Sequence, residues 1–223
     1  MTTADGSAEL PRWGVVTEPM TVATNVVLAV LAFWFAAGLT YRPVAEASAS
    51  ARWLAAGFLA TGLAALIGAL AHGTDPADGA TLRERFWRGA LYLTGLIGAA
   101  TVASVAYFAA RGGARMAILA FAAIKLVVFV VRVTRHPEFR VAAVDYGGAL
   151  GVLLAGAAYM AVRRQAPGMA WLIAGVVVSL VAGIVQARRL ALHRHFNHND
   201  LYHVIQMAAL YAFYRGGTSL VDR

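Results

Sequence analysis

The chain has no cysteine among its 223 residues, which excludes a disulfide framework, a thiolate metal site and a cysteine nucleophile. Charged residues are scarce as well, at 13% of the chain, whereas 60% of the residues are hydrophobic. A soluble domain has about 25% charged and about 45–50% apolar residues. A single core of this size cannot bury so much apolar surface, so the composition excludes a water-soluble globular protein and predicts an integral membrane protein.

Lysine is nearly absent, with one lysine against eighteen arginines, and the formal net charge is +8. In a membrane protein such an excess of arginine lies in loops and beside lipid headgroups. We therefore expect membrane lipid, and not nucleic acid, as the partner of this charge. The bias toward arginine and alanine is typical of a GC-rich bacterial genome, which indicates the plasma membrane of a bacterium.

Seven stretches are long and apolar enough for a membrane-crossing helix, which needs about 20 mostly apolar residues. They are residues 19–40, 52–72, 87–110, 116–134, 141–162, 168–187 and 200–216. Lipid offers no hydrogen-bond partner to the backbone, so such spans are helices. The predicted fold class is all-α, an integral membrane bundle of seven transmembrane helices. It occupies residues 18–216, between a short polar N-terminal tail (1–17) and a C-terminal tail (217–223).

All six histidines are predicted to lie on the N-terminal side of the membrane or within about two turns of it. Two of them fall inside spans: His72 in the last turn of the second span and His203 in the first turn of the seventh. A catalytic zinc ion has three protein ligands and one open position, and imidazole is the commonest ligand. His198 precedes His203 and could turn inward as a third ligand. The alternative is that these histidines form hydrogen bonds between helices.

Several acidic and amide residues lie near the same side of the membrane. Asp145, near the start of the fifth span, could act as a general base or orient a ligating imidazole. Its alternative is a salt bridge to Arg140 or Arg88. Glu18 and Asn25 lie two turns apart on one face of the first span. They could polarise the site, although we favour a structural role in which they cap the span and bond a neighbouring helix.

Three segments together resemble a known membrane family. They are Glu18-Pro-Met-Thr-Val-Ala-Thr-Asn25 at the start of the first span, His72-Gly-Thr74 at the end of the second, and Leu201-Tyr-His203 at the start of the seventh. In order, spacing and position these segments are similar to the signature of alkaline ceramidases and their wider superfamily. That superfamily of seven-span hydrolases also includes the progestin and adiponectin receptors.

The resemblance implies a zinc ion held by three histidines, one from the second span and two from the seventh. It implies that the metal-bound water attacks a lipid amide or ester. It also implies a serine one turn before the histidine of the second span, where this chain has Gly68. An acid is expected at the start of the third span, where Glu84 could stand in after a shift of register. The first histidine of the seventh span aligns with Asn199, next to His198.

These arguments define the candidate site. The candidate residues are the metal ligands His72, His203 and His198, the catalytic acids Asp145 and Glu84, and the supporting residues Glu18, Asn25 and Asn199.

Three functions follow from this site. The first is a zinc-dependent membrane hydrolase acting on a lipid-like amide or ester. The second is a non-catalytic sensor or receptor of the same fold that binds metal or lipid. The third, with less support, is a membrane cytochrome with His72 and His203 as the axial haem ligands. Lys125, midway through the fourth span, is expected to be paired, and the seventh span has no lysine that could hold retinal.

Overall fold

The computed structural model describes residues 12–41, 48–193 and 195–223, and these residues form a helical bundle. A small antiparallel ribbon, β1 (Arg12–Trp13) with β2 (Val16–Thr17), precedes the helices. The helices of the described residues are α1 (Pro19–Thr40), α2 (Ala49–Gly73), α3 (Pro76–Ala109), α4 (Gly112–Arg135), α5 (Phe139–Arg164), α6 (Met169–Ala187) and α7 (His198–Gly217).

Helices α1 to α6 are long and apolar enough to cross a membrane, which makes the chain a helical transmembrane protein. Helix α7 coincides with the seventh predicted span, 200–216, but is not among the helices apolar enough to qualify. The reason lies in its first half, where Asn199, Asp200, His203 and Gln206 replace apolar residues.

The helices form a ring closed in the order α1, α2, α3, α5, α6 and α7, in which each helix packs against the next and α7 returns to α1. Helix α4 lies outside this ring against α3, and it is the least buried of the spans. Large side chains fill the centre of the ring, among them Leu39, Phe108 and Leu172. The apolar side chains on the outer faces are exposed, as expected for surfaces that contact lipid.

Helix α3 begins well before the predicted start of the third span at residue 87. Asp75 caps it by accepting a hydrogen bond from the Ala77 amide at 2.9 Å, and Pro76 follows in the first turn, where its missing N–H has no effect. The first turns of α3 are polar, so hydropathy alone does not detect them. This extension carries Arg83 to the neighbourhood of Glu18 and His72.

The two tails are held against the bundle where they are described. Residues 1–11 of the predicted N-terminal tail lie outside the described residues, whereas the Thr17 hydroxyl donates hydrogen bonds to the carbonyl oxygens of His72 and Thr74. In the C-terminal tail, Asp222 accepts hydrogen bonds from the amides of Ala49 at 2.6 Å and Ser50 at 2.9 Å. Asp222 therefore satisfies free N–H groups at the start of α2.

Candidate functional site

His72 and His203 line one cavity at the end of the bundle where α2 ends and α1 and α7 begin. The cavity has an inner chamber of about 150 Å³ and an outer chamber of about 330 Å³. The two chambers share five lining residues, His72, Trp87, Phe139, Tyr202 and His203. Histidines from two distant segments of the sequence thus line the same cavity.

The inner chamber becomes more apolar with distance from the histidines. A small cavity of about 20 Å³ lies deeper in the bundle and shares Thr61, Ile97, Tyr146 and Leu210 with the inner chamber. Its further walls include Leu54 and other apolar residues of the core. Concave sites that are mostly apolar, with a few convergent polar groups, are typical of small-molecule binding.

The His72 ring is held by a carboxylate. Its Nδ1 lies 3.1 Å from Oε2 of Glu18, and the Arg83 guanidinium donates to Oε1 of Glu18 at 3.2 Å. Burial alone raises the pKa of Glu18, but the hydrogen bond and charge of His72, together with Arg83, outweigh it and leave that pKa below its ordinary value. Glu18 precedes α1 but makes no side-chain capping bond to it, so that part of our expectation is wrong. The expected bond to a neighbouring helix is present, because Glu18 connects α2 and α3.

The His203 ring is held by hydroxyl groups of α1. Its Nδ1 lies 3.0 Å from Oγ1 of Thr24, and the same Oγ1 lies 3.2 Å from the carbonyl oxygen of Thr21. We assign the tautomer of His203 from these two contacts: both are hydrogen bonds at once when the single Thr24 proton goes to the Thr21 carbonyl, which can only accept, and the Nδ1–H of His203 donates to Thr24. The Thr21 hydroxyl in turn donates to buried Asp200 at 2.7 Å, which fixes the start of α7 against α1.

Asn25 lines the inner chamber beside Gly68. Its Nδ2 donates to the Thr21 carbonyl at 2.9 Å, a bond within its own helix and not to a neighbouring one, and this orients Oδ1 as an acceptor. A Cβ atom at position 68 would lie 3.2 Å from this Oδ1. The position where the resemblance implies serine therefore faces the amide of Asn25.

His198, the third predicted zinc ligand, and the supporting residue Asn199 do not join the two histidines. His198 is the first residue of α7 and is not among the residues that line either chamber. Asn199 lines the outer chamber, but its Oδ1 accepts a hydrogen bond from Gln186 at 2.8 Å. Across the described ranges no three His, Asp or Glu side chains come together in a way that could hold a metal ion.

The two predicted catalytic acids lie away from the cavity. Asp145 accepts a hydrogen bond from Lys125 at 2.6 Å, so its partner is neither Arg140 nor Arg88, and it is not among the lining residues of the chambers. Lys125 is paired, as expected. The side chain of Glu84 is 57% exposed and pairs with Arg88 one helical turn away. Neither carboxylate is placed to act on a molecule between the histidines.

Sequence reasoning did not find Thr24, Arg83 or Gln206, which all contribute to the site. Thr24 could have been found from its spacing, because Thr21, Thr24 and Asn25 fall on one face of a helix. Arg83 was hidden by the late predicted start of the third span. Gln206 donates to the Tyr146 hydroxyl at 3.4 Å, and its own Oε1 is buried without a hydrogen-bond partner.

Comparison with known proteins identifies a family without an assigned activity. No curated protein and no solved structure matches the chain. One family model, described as a family of unknown function (DUF6962), matches residues 20–222. Because this match covers nearly the whole chain, the protein belongs to the DUF6962 family.

Proposed function

We propose that the chain is a seven-span protein of a bacterial plasma membrane that binds a lipid-like molecule in the cavity between His72 and His203. Helix α7 supports the seventh span. It has 20 residues, and at 1.5 Å per residue it is about as long as the hydrocarbon core is thick. It also packs between α1 and α6 within the ring, where Ala209, Leu210 and Phe213 are buried.

The observation that carries the binding proposal is the polarity of the cavity. The polar side chains His72, His203, Asn25 and Arg83 lie at the end of the cavity near the starts of α1 and α7. Leu28, Leu91 and Leu210 line its inner part. A molecule with one polar end and an apolar chain matches this gradient, because each of its parts meets surface of its own kind. Tyr202 and Phe139 pack edge to face where the two chambers meet.

A zinc ion with three histidine ligands, as the resemblance implies, does not fit the residues that the structure brings together. A catalytic zinc ion has three protein ligands. The cavity offers two imidazoles, while Asn199, at the position of the third, is bonded to Gln186. We therefore place binding of a lipid-like molecule, as in a sensor or receptor, ahead of hydrolysis.

One observation favours zinc-dependent hydrolysis of a lipid-like amide or ester as a second candidate function. Histidines that ligate metals usually donate their other ring N–H to a carboxylate or another oxygen. His72 donates in this way to Glu18, and His203 to Thr24. This candidate needs a further zinc ligand, so it predicts about one zinc ion per chain and loss of the metal in His72→Ala and His203→Ala.

Native mass spectrometry of the protein purified in detergent without chelators tests both candidates. We expect a bound lipid-like adduct that is lost in Ala64→Phe, because Ala64 lines the inner chamber. Ala56→Phe is the matched control, since Ala56 lies on the same helix but lines a groove on the outer surface between α2, α3 and α4.

An adduct that persists in Ala64→Phe would contradict the binding proposal. Zinc measured in the same sample, together with turnover of a panel of lipid amides and esters, would establish the second candidate instead. A Soret band in the absorption spectrum would reveal haem and overturn both.

A further inference from the structure

The wall of the inner chamber holds the hydroxyl groups of Tyr146 and Tyr202, and Asn25, His72 and His203 each present a hydrogen-bond acceptor to it. The bonds made by the other atoms of the same side chains determine this. Asn25 uses its Nδ2 on the Thr21 carbonyl, which leaves Oδ1 for the chamber. An amide oxygen can accept two hydrogen bonds and donate none.

The two imidazoles present acceptors for the same reason. Nδ1 of His72 donates to Glu18, and Nδ1 of His203 donates to Thr24. In a neutral imidazole one nitrogen carries the proton and the other accepts, so Nε2 is the acceptor of each ring. Among the described residues neither Nε2 makes a hydrogen bond, and both rings line the chamber.

The hydroxyl groups of threonine on the chamber wall do not donate to these three acceptors. Thr61 donates to the Gly57 carbonyl at 2.9 Å, and Thr94 donates to the Ala90 carbonyl at 3.1 Å. Both protons are therefore used inside their own helices. Since a buried acceptor without a partner is costly, a polar group that brings a donor to Oδ1 of Asn25 or to one of the two Nε2 atoms is favoured in the chamber.

Charge decides between the donors that a lipid-like molecule could carry. An ammonium group would donate, but the Arg83 guanidinium lines the outer chamber beside His72 and repels a second cation. The carboxylate of Glu18 is already shared between His72 and Arg83. An ionised carboxylate on the ligand would be attracted by Arg83 in the outer chamber, but it has no proton to donate to the acceptors of the inner chamber. A neutral hydroxyl meets none of these objections.

From these atoms we infer that the inner chamber selects a lipid-like molecule whose polar group is a neutral hydroxyl, which donates its one proton to an acceptor of Asn25, His72 or His203 without a metal ion. This inference rests on the binding proposal above and adds to it the chemical class of the ligand. The apolar chain of such an alcohol would extend toward Leu28 and Leu210, deeper in the bundle.

The test compares two probes of equal chain length, dodecanol and methyl dodecyl ether. Both contain an oxygen acceptor, but only the alcohol donates a hydrogen bond. Each is titrated into the full chain in detergent with EDTA present, and occupancy is measured by native mass spectrometry. We expect the alcohol to bind about tenfold more tightly, the effect of one hydrogen bond that only the alcohol can make.

Variants assign this preference to named atoms. Asn25→Leu has similar size but no acceptor, and it should reduce the preference while the ether still binds. His203→Phe removes a second acceptor and should act in the same direction, which keeps the test valid if one variant fails to fold. Thr61→Val is the matched control, because it changes a polar residue of the same wall whose proton is already used.

The outcomes separate this inference from the binding proposal. Equal binding of alcohol and ether to the wild-type chain would overturn the hydroxyl inference and leave a lipid-binding cavity in place. A preference that appears only with added zinc would overturn the claim of metal-free recognition. If neither probe binds, but the protein still carries an adduct that is lost in Ala64→Phe, the ligand has a polar group other than a hydroxyl.

Discussion

Removing one partner of the Lys125–Asp145 pair should strongly destabilise the protein, whereas removing both should not. The Lys125 Nζ lies 2.6 Å from Asp145 Oδ2, and the two side chains are only 11% and 9% exposed. At this distance, with an effective dielectric constant of about 20, the charges attract each other by roughly 6 kcal/mol before desolvation is counted. Desolvation of two ions offsets several kcal/mol each, so the net contribution of the intact pair is small.

The single variants leave one charge buried without its partner. For Lys125→Met or Asp145→Val alone we expect a loss of about 3–5 kcal/mol in the free energy of unfolding. The double variant replaces both charges by apolar groups of comparable size, and it should be within about 1 kcal/mol of the wild type or more stable. The space beside the pair is tight, because a Cβ atom on Gly98 would lie 2.7 Å from the Lys125 ammonium nitrogen.

The measurement is a double-mutant cycle in mixed micelles, with unfolding induced by sodium dodecyl sulfate and followed by circular dichroism. Glu84→Gln is the control, because the Glu84–Arg88 pair is exposed and should contribute at most about 1 kcal/mol. A change below about 1 kcal/mol in Lys125→Met, or additive losses in the double variant, would refute the burial argument. Ligand binding in the double variant should remain, since neither residue lines the cavity.

Two further predictions concern the polar end of the site and the packing of α6. The pKa of Glu18 is lowered in the folded protein, so its stabilising effect is present above its ordinary pKa of 4.5 and is lost as the pH falls toward the lower folded value. Glu18→Gln should therefore flatten the fall in unfolding free energy as the pH is lowered below the ordinary pKa of 4.5, and an unchanged profile would contradict this. On α6, a Cβ at Gly175 would lie 2.4 Å from the Phe213 ring, whereas nothing lies within 4 Å of one at Gly183. Gly175→Ala should therefore destabilise the protein by about 1–3 kcal/mol, whereas Gly183→Ala should stabilise it by about 0.5–1 kcal/mol. Thermal unfolding in which the Gly175 variant is the more stable of the two would refute this packing of α6 against α7.

The spans were predictable because hydropathy is a local property. The first predicted span, 19–40, has the bounds of α1, and the sixth, 168–187, differs from α6 by one residue. The start of α3 was missed because its first turns are polar, although Asp75 and Pro76 are helix-start signals that could have been used. For α7 the predicted range also coincides with a helix, but its polar first half leaves the seventh span a proposal.

The candidate site was only partly predictable. Placing His72 and His203 near one face of the membrane required only their positions in the spans, and the structure brings both to one cavity. The partner of Asp145 depends on the rotation of α4 against α5, which the sequence does not encode locally. Proximity in the sequence favoured Arg140, whereas the structure pairs Asp145 with Lys125. The position of His198 could not be predicted for a similar reason, because the direction of its side chain at the start of α7 depends on the turn that precedes the helix.

The amino-acid sequence by itself determined that this protein is a bundle of membrane helices, because the need to satisfy every backbone hydrogen bond in lipid allows little else. It also determined which end of the bundle carries the imidazoles. Only the tertiary structure decided which nitrogen of each ring is already bonded and which atoms are left for a ligand. Those bonds join residues of different helices, such as Glu18 with His72 and Thr24 with His203, and they exist only once the helices are packed in one rotational setting.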